Sequence, residues 1–211
     1  MSSSSVKVVR AKGLSNREFL ERYAGPGFVG LACGTSWIDQ RIRRTLRHLT
    51  SDGQWCDWSH AMLFEGRRAD GQHWVFEADI EMARGFVQSG VQENRVEKFW
   101  DAKKYSGLAV LDFGLTPEQA RIAMGRALDM TAQRVAYSYR GIMATWLAVH
   151  RKTLSQQSRL QNLKDTFCSS FVQRAYKDVG IAFAPGVEEA HTTPQHIAAT
   201  VVPHTRYLLQ R

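Results

Sequence analysis

Three side chains in this sequence have the chemistry to cleave an acyl bond together: Cys168, His60 and Glu77. A thiol becomes an efficient nucleophile when an imidazole takes or holds its proton, and the imidazole works best when a third polar group fixes its tautomer and orientation. Glu77 would hold one ring nitrogen of His60 and leave the other for Cys168, giving a thiolate–imidazolium pair. Attack by Cys168 would form an acyl-enzyme, and water activated by His60 would release it. The Cys168 backbone N–H would contribute to an oxyanion hole, with Tyr137, Tyr139 and Ser169 as further oxyanion or substrate contacts. Each residue also has a plainer reading. A free cysteine is commonly a buried structural thiol, a strand histidine a satisfied one, and a lone glutamate a solvated edge residue. Position in the fold has to decide between the two readings.

The stretch from Thr166 to Gly180 places the cysteine. Phe171, Val172, Ala175, Tyr176 and Val179 follow helical spacing and Gly180 marks a helix stop, so Cys168 falls in or just before the first turn. There the unpaired N–H groups and the positive end of the helix dipole stabilise a thiolate, the reactive form of cysteine.

Residues 58–64 and 74–80 are strand-like, and Gly66 and Gly71 bracket a polar turn between them, which reads as a hairpin. A turn symmetric about Arg68 and Ala69 sets Gly66 against Gly71, Phe64 against His73, Met62 against Val75 and His60 against Glu77. Opposed residues project to one face with Cβ atoms roughly 4.5–5.5 Å apart, so imidazole and carboxylate would meet.

Elsewhere, residues 1–14 read as a flexible polar lead-in, and Ser15-Asn16-Arg17-Glu18 has the form of a capping box. Phe28 to Ala32 suits a buried strand. Ser36 caps a helix with Ile38, Ile42, Leu46 and Leu49 on one stripe and Arg41, Arg43, Arg44, Arg47 and His48 on the remaining surface. A short strand around Val87 to Val91 and an amphipathic stretch around Val96 to Trp100 follow. Leu108 to Phe113 is a strand, Thr116-Pro117-Glu118-Gln119 opens a helix running to about Gln133, and Gly141 to about Leu163 is a further helix. Beyond Pro185-Gly186 the chain reads as loop-rich.

At 211 residues the chain suits one domain, and 44% hydrophobic with 23% charged residues excludes a disordered composition. The net charge of +8 favours an acidic partner: an anionic polymer, an anionic membrane surface or nucleic acid. Three cysteines are too few for a disulfide framework. Met1 to Arg10 lacks the apolar run of a secretory signal, and no stretch is apolar enough to span a bilayer, so synthesis in the cytoplasm is expected. Cys33 is a rival nucleophile, weakened because Gly34 and Thr35 follow it where a helix should. Cys56, between tryptophans, reads as structural. His191, His196 and His204 lack the Cys or carboxylate pattern of a metal site, and no cofactor is expected.

Phe167-Cys168-Ser169-Ser170-Phe171-Val172-Gln173-Arg174-Ala175-Tyr176, with Val179-Gly180-Ile181, resembles the nucleophile helix of NlpC-type papain-like cysteine hydrolases. Trp58-Ser59-His60-Ala61-Met62-Leu63-Phe64 resembles their histidine strand. Histidine before cysteine is the order of the circularly permuted branch, which includes YiiX-like proteins and lecithin:retinol acyltransferase relatives. Glu77-Ala78 matches that branch's third member, and Ala136-Tyr137-Ser138 its tyrosine segment. Where permuted members often have Pro-Gly-Asp, this chain has Pro26-Gly27-Phe28. The resemblance spans roughly Phe28 to Ile197. It implies an α+β papain-like fold, an antiparallel sheet packed on the helix of Cys168, in one domain over residues 15–211. It also implies a cysteine hydrolase acting on an amide bond, with a cell-wall peptide as the leading substrate. Combined with the missing signal, a wall substrate suggests a toxin delivered by a secretion apparatus or phage and restrained by an immunity or inhibitor protein. The alternatives are a lipid-directed thiol hydrolase or acyltransferase at an anionic membrane and a non-catalytic basic binding module.

Overall fold

The computed structural model describes residues 5–46, 57–83, 86–133 and 168–211. Cys56, Tyr137, Tyr139 and the helix expected over 141–163 lie outside these residues.

A mixed α+β fold is built on one seven-stranded sheet. In chain order the elements are β1 (Lys7–Lys12), α1 (Asn16–Tyr23), β2 (Val29–Gly34), α2 (Trp37–Thr45), β3 (His60–Arg67), β4 (His73–Ala83) and β5 (Phe86–Arg95). A 3₁₀ turn (Val96–Phe99), β6 (Tyr105–Asp112), α3 (Pro117–Ala132), α4 (Cys168–Lys177), α5 (Pro194–Ala198) and β7 (Thr205–Gln210) complete it. The strands lie in the order β1-β7-β6-β2-β3-β4-β5, antiparallel except for the parallel β1–β7 pair.

Apolar layers cover both faces of the sheet, which is why its central strands read as near-continuous hydrophobic runs. On one face Leu31, Leu63, Phe76 and Ala109 pack under Phe171, Val172 and Tyr176 of α4. On the other, Met62, Phe64, Val75 and Val110 pack with Phe19 and Leu20 of α1 and with Phe99. Phe171, Val172 and Tyr176 are fully buried. Each such side chain contributes about 1.5–3 kcal/mol relative to exposure, so the periodicity that marked the helix is also what holds it on the sheet.

Local signals set most boundaries. Ser15, Ser36 and Thr116 each close a reciprocal capping box, with Glu18, Asp39 and Gln119 as partners. α3 opens at Pro117 and ends at Ala132, and Gly180 takes up φ 79° after α4.

Two expectations are corrected. Residues 7–12 are not part of a flexible lead-in but form β1, paired along its length with β7. The C-terminal region likewise contains a strand, and β7 joins β1 to the rest of the sheet. Both lie at or next to the sheet edge and bury little: in β1 only Ala11 is buried. Their side chains therefore carry no alternation to read, and their order comes from backbone pairing with distant partners.

Candidate active site

The His60–Glu77 pair forms, but not in the expected register. The loop between the strands centres on Asp70, with Arg67 opposite His73, and a bulge between Phe64 and Gly66 adds one residue to β3. Gly66 is suited to that kink: its φ is 109°, and a Cβ there would come within 2.9 Å of Pro26 Cγ. The net result sets Met62, not His60, opposite Glu77. The displacement from the expected pairing is two residues, an even number, so no side chain changes face. His60 and Glu77 become diagonal neighbours, a separation that long side chains still bridge. His60 Nε2 lies 2.5 Å from Glu77 Oε2.

Other contacts position the ends of the two elements. Ser59 is buried, and its hydroxyl accepts a hydrogen bond from the Gly34 N–H at 2.9 Å while reaching the Ala32 carbonyl at 3.3 Å. That clasp fixes the start of β3, where His60 is the first residue. α4 is held along its length: Ser169 Oγ donates to Thr192 O at 2.7 Å, Gln173 bridges Ile181 O and the Phe183 N–H, and the Tyr176 hydroxyl donates to Gly27 O. Cys168 is the first described residue of this helix, which continues to Lys177. Ser169, the remaining oxyanion or substrate candidate, is fully buried.

Electrostatics tie the three residues together. Burial disfavours a charged His60, yet the neighbouring Cys168, through its electrostatic influence and a hydrogen bond, and the Glu77 carboxylate outweigh it and hold the imidazole pKa well above 6.5. Glu77 is fully buried. Desolvation alone would raise its pKa, but Lys98 and His60 drive it down to about 2. Glu77 faces Nε2, which leaves Nδ1 as the ring nitrogen for the thiol. Phe99 lies against the imidazole, with ring centroids 6.1 Å apart and 23° between planes.

The carboxylate has partners that the motif residues did not announce. Glu77 Oε1 accepts hydrogen bonds from Asn94 Nδ2 and Lys98 Nζ, both at 2.7 Å, and Lys98 Nζ also reaches Asp79 Oδ2 at 2.5 Å. Asn94 is on β5 and Lys98 in the 3₁₀ turn that follows it. Asp79 shares the alternating face of β4 with Glu77, and that spacing was the one available sequence signal. Gln92 pairs in register with Glu77 and is buried, with no partner for either amide atom among the described residues.

The other candidates have different surroundings. Cys33 lines a cavity of about 350 Å³ with Arg10, Trp58, Ser106 and Leu208, and no histidine is among the described residues around it. Its sulfur meets Ser106 Oγ at 3.3 Å. His196 caps α5 with Thr193, His204 bonds Val202 O at 2.7 Å, and His191 lies 3.5 Å from Glu188. Among the described residues no group of three or more His, Cys, Asp or Glu is arranged to hold a metal ion, and no helix is long and apolar enough to cross a membrane.

No protein-family model matches the sequence, and no curated protein matches it. The fold is similar to that of the metalloprotein YiiX from Escherichia coli O157:H7, described as DUF1105. The TM-score is 0.54 at 13% sequence identity, over 86% of this chain and 94% of that one. At that identity the likeness concerns the fold.

Proposed function

We propose that this protein is a cysteine hydrolase of the permuted papain-like type, with Cys168 as nucleophile, His60 as general acid and base, and Glu77 as the residue that orients His60. One observation carries the reading: His60 is held between Glu77, at 2.5 Å from Nε2, and the Cys168 thiol. That is the arrangement a thiolate–imidazolium pair requires. The Cys168 sulfur attacks the carbonyl carbon of an amide, the C–N bond breaks, and the His60 imidazolium protonates the departing amine. Neutral His60 then takes a proton from water, whose oxygen attacks the thioester. The C–S bond breaks, releasing the acid and restoring the thiolate. The oxyanion formed in each half faces the N–H groups at the start of α4.

YiiX is described as a metalloprotein, and the Cys168 centre does not suit a metal. Both Glu77 oxygens already accept hydrogen bonds, from His60, Asn94 and Lys98, and an ammonium group 2.7 Å from the carboxylate opposes a second cation.

The substrate reading is a peptide amide of the cell wall. It rests on the resemblance of the Cys168 and His60 segments to wall hydrolases and on a net charge of +8, which suits an anionic polymer. Digestion of purified peptidoglycan, read by mass spectrometry of the released fragments, tests it. Cleavage by the wild type and none by Cys168→Ala is the expected result. Selective labelling of Cys168 without wall cleavage would keep the hydrolase and discard the substrate. Cys168 that resists a thiol-directed probe at neutral pH, with no change in His60→Ala, would overturn the enzyme.

A further inference from the structure

The Lys98 ammonium sits where a triad of this kind needs no cation. It lies 2.7 Å from Glu77 Oε1 and 2.5 Å from Asp79 Oδ2, with its side chain only 29% exposed. Glu77 is fully buried and uses its other oxygen on His60. A carboxylate this deep either pairs with positive charge or takes up a proton. His60 alone cannot supply that charge throughout the cycle, because the imidazole loses its proton when it protonates the leaving group. Lys98 keeps a positive charge on Glu77 at that moment. Asp79 in turn balances Lys98, so the lysine does not confront the imidazolium with an uncompensated like charge.

We propose that Lys98 and Asp79 are positioning residues of the catalytic centre, a fixed ion pair that keeps Glu77 ionised so that it orients His60 without taking the imidazole proton. This inference rests on the hydrolase reading above. The groups facing the pair are His60 of β3, Glu77 of β4, Asn94 of β5 and Tyr105 of β6, with Cys168 of α4 beyond His60 and Asp39 of α2 beyond Tyr105. Tyr105 is held protonated by burial, its pKa pushed up to about 12, so it does not compete for the role. The charge of Lys98 is the largest single favourable influence on Glu77, followed by the hydrogen bond and charge of His60. The ammonium is itself held above its usual range by Glu77 and Asp79 against the cost of burial.

Opposite signs distinguish this role from plain structural support. Removing the cation in Lys98→Met lets Glu77 take up a proton at higher pH. The acid limb of Cys168 alkylation by iodoacetamide, followed by mass spectrometry across pH, should then move up by about one pH unit. Lys98→Arg, which keeps the charge, should restore the wild-type limb. Asp79→Asn leaves the lysine unbalanced beside His60⁺, so the basic limb should move down. His60→Ala serves as the control for the reading beneath: loss of its effect on Cys168 alkylation would sink the hydrolase itself. With the His60 effect intact, acid limbs of Lys98→Met and Lys98→Arg that coincide with wild type would overturn the Lys98 assignment alone. If Lys98→Met does not fold, as circular dichroism would show, Asp79→Asn decides: a downward basic limb supports the assignment and an unmoved one overturns it.

Discussion

Cys168 and Cys33 are both free and both buried, at 5% and 8% exposure. Burial therefore does not separate them. Cys33 lies within β2, and the polar partner of its sulfur is the Ser106 hydroxyl, which cannot take up a proton near neutral pH. Cys168 begins α4 and meets an imidazole whose far nitrogen is held by a buried carboxylate. A buried thiol becomes a candidate nucleophile through the base beside it, with accessibility a weaker guide.

The largest expected difference is in turnover. Cys168→Ala should lower hydrolysis of an activated ester or peptide substrate by about 10⁴-fold or more, whereas Cys33→Ser should stay within about threefold of wild type. Equal losses in the two variants would erase the distinction.

Next in size is the carboxylate. Glu77→Gln should reduce turnover by about 10²–10⁴-fold through loss of imidazole orientation. It should also cost about 3–5 kcal/mol of stability in urea titrations, because Lys98 is left without its buried partner. A variant as stable and active as wild type would remove Glu77 from the site.

The pH dependence of folding sharpens the same contrast. Glu77 falls from 4.5 to about 2 on folding, so its contribution is present above pH 4.5 and lost as pH drops toward 2. About 3 kcal/mol should disappear over that window in wild type and not in Glu77→Gln. His60 moves the other way: raised above 6.5, it contributes fully below that pH, and the contribution fades as pH rises through its folded value. Denaturant midpoints across pH 2–9 report both slopes.

Smaller still is the anchoring of the helix that carries Cys168. Tyr176→Phe leaves the buried Gly27 carbonyl without its donor and should cost about 1–3 kcal/mol, read as a lower thermal midpoint. Smallest is Ser106→Ala beside Cys33, which should shift stability by about 0.5 kcal/mol or less. A large loss of activity in Ser106→Ala would give the Cys33 cavity a part in catalysis.

How far the site could be read from the chain depended on the range of the interactions. The apolar spacing after Cys168 and the capping boxes at Ser15, Ser36 and Thr116 are local, so they mark helix starts without tertiary help. The hairpin was legible as an object because strand composition and turn glycines are also local. Its register was not, since the loop centre at Asp70 and the bulge before Gly66 depend on packing against Pro26 and the neighbouring strand. β1 and β7 escaped because edge strands are ordered by distant backbone pairing.

The types and faces of the candidate residues were legible in the chain alone: a cysteine in an amphipathic helix, and a histidine and glutamate whose alternation survives a two-residue slip because the side-chain period of a strand is two. Only the tertiary structure decided what completes them. Asn94 and Lys98 reach Glu77 because β5 and the turn after it run back beside β4, Asp79 in turn meets Lys98, and the charge on a buried carboxylate is settled by the groups packed around it in space.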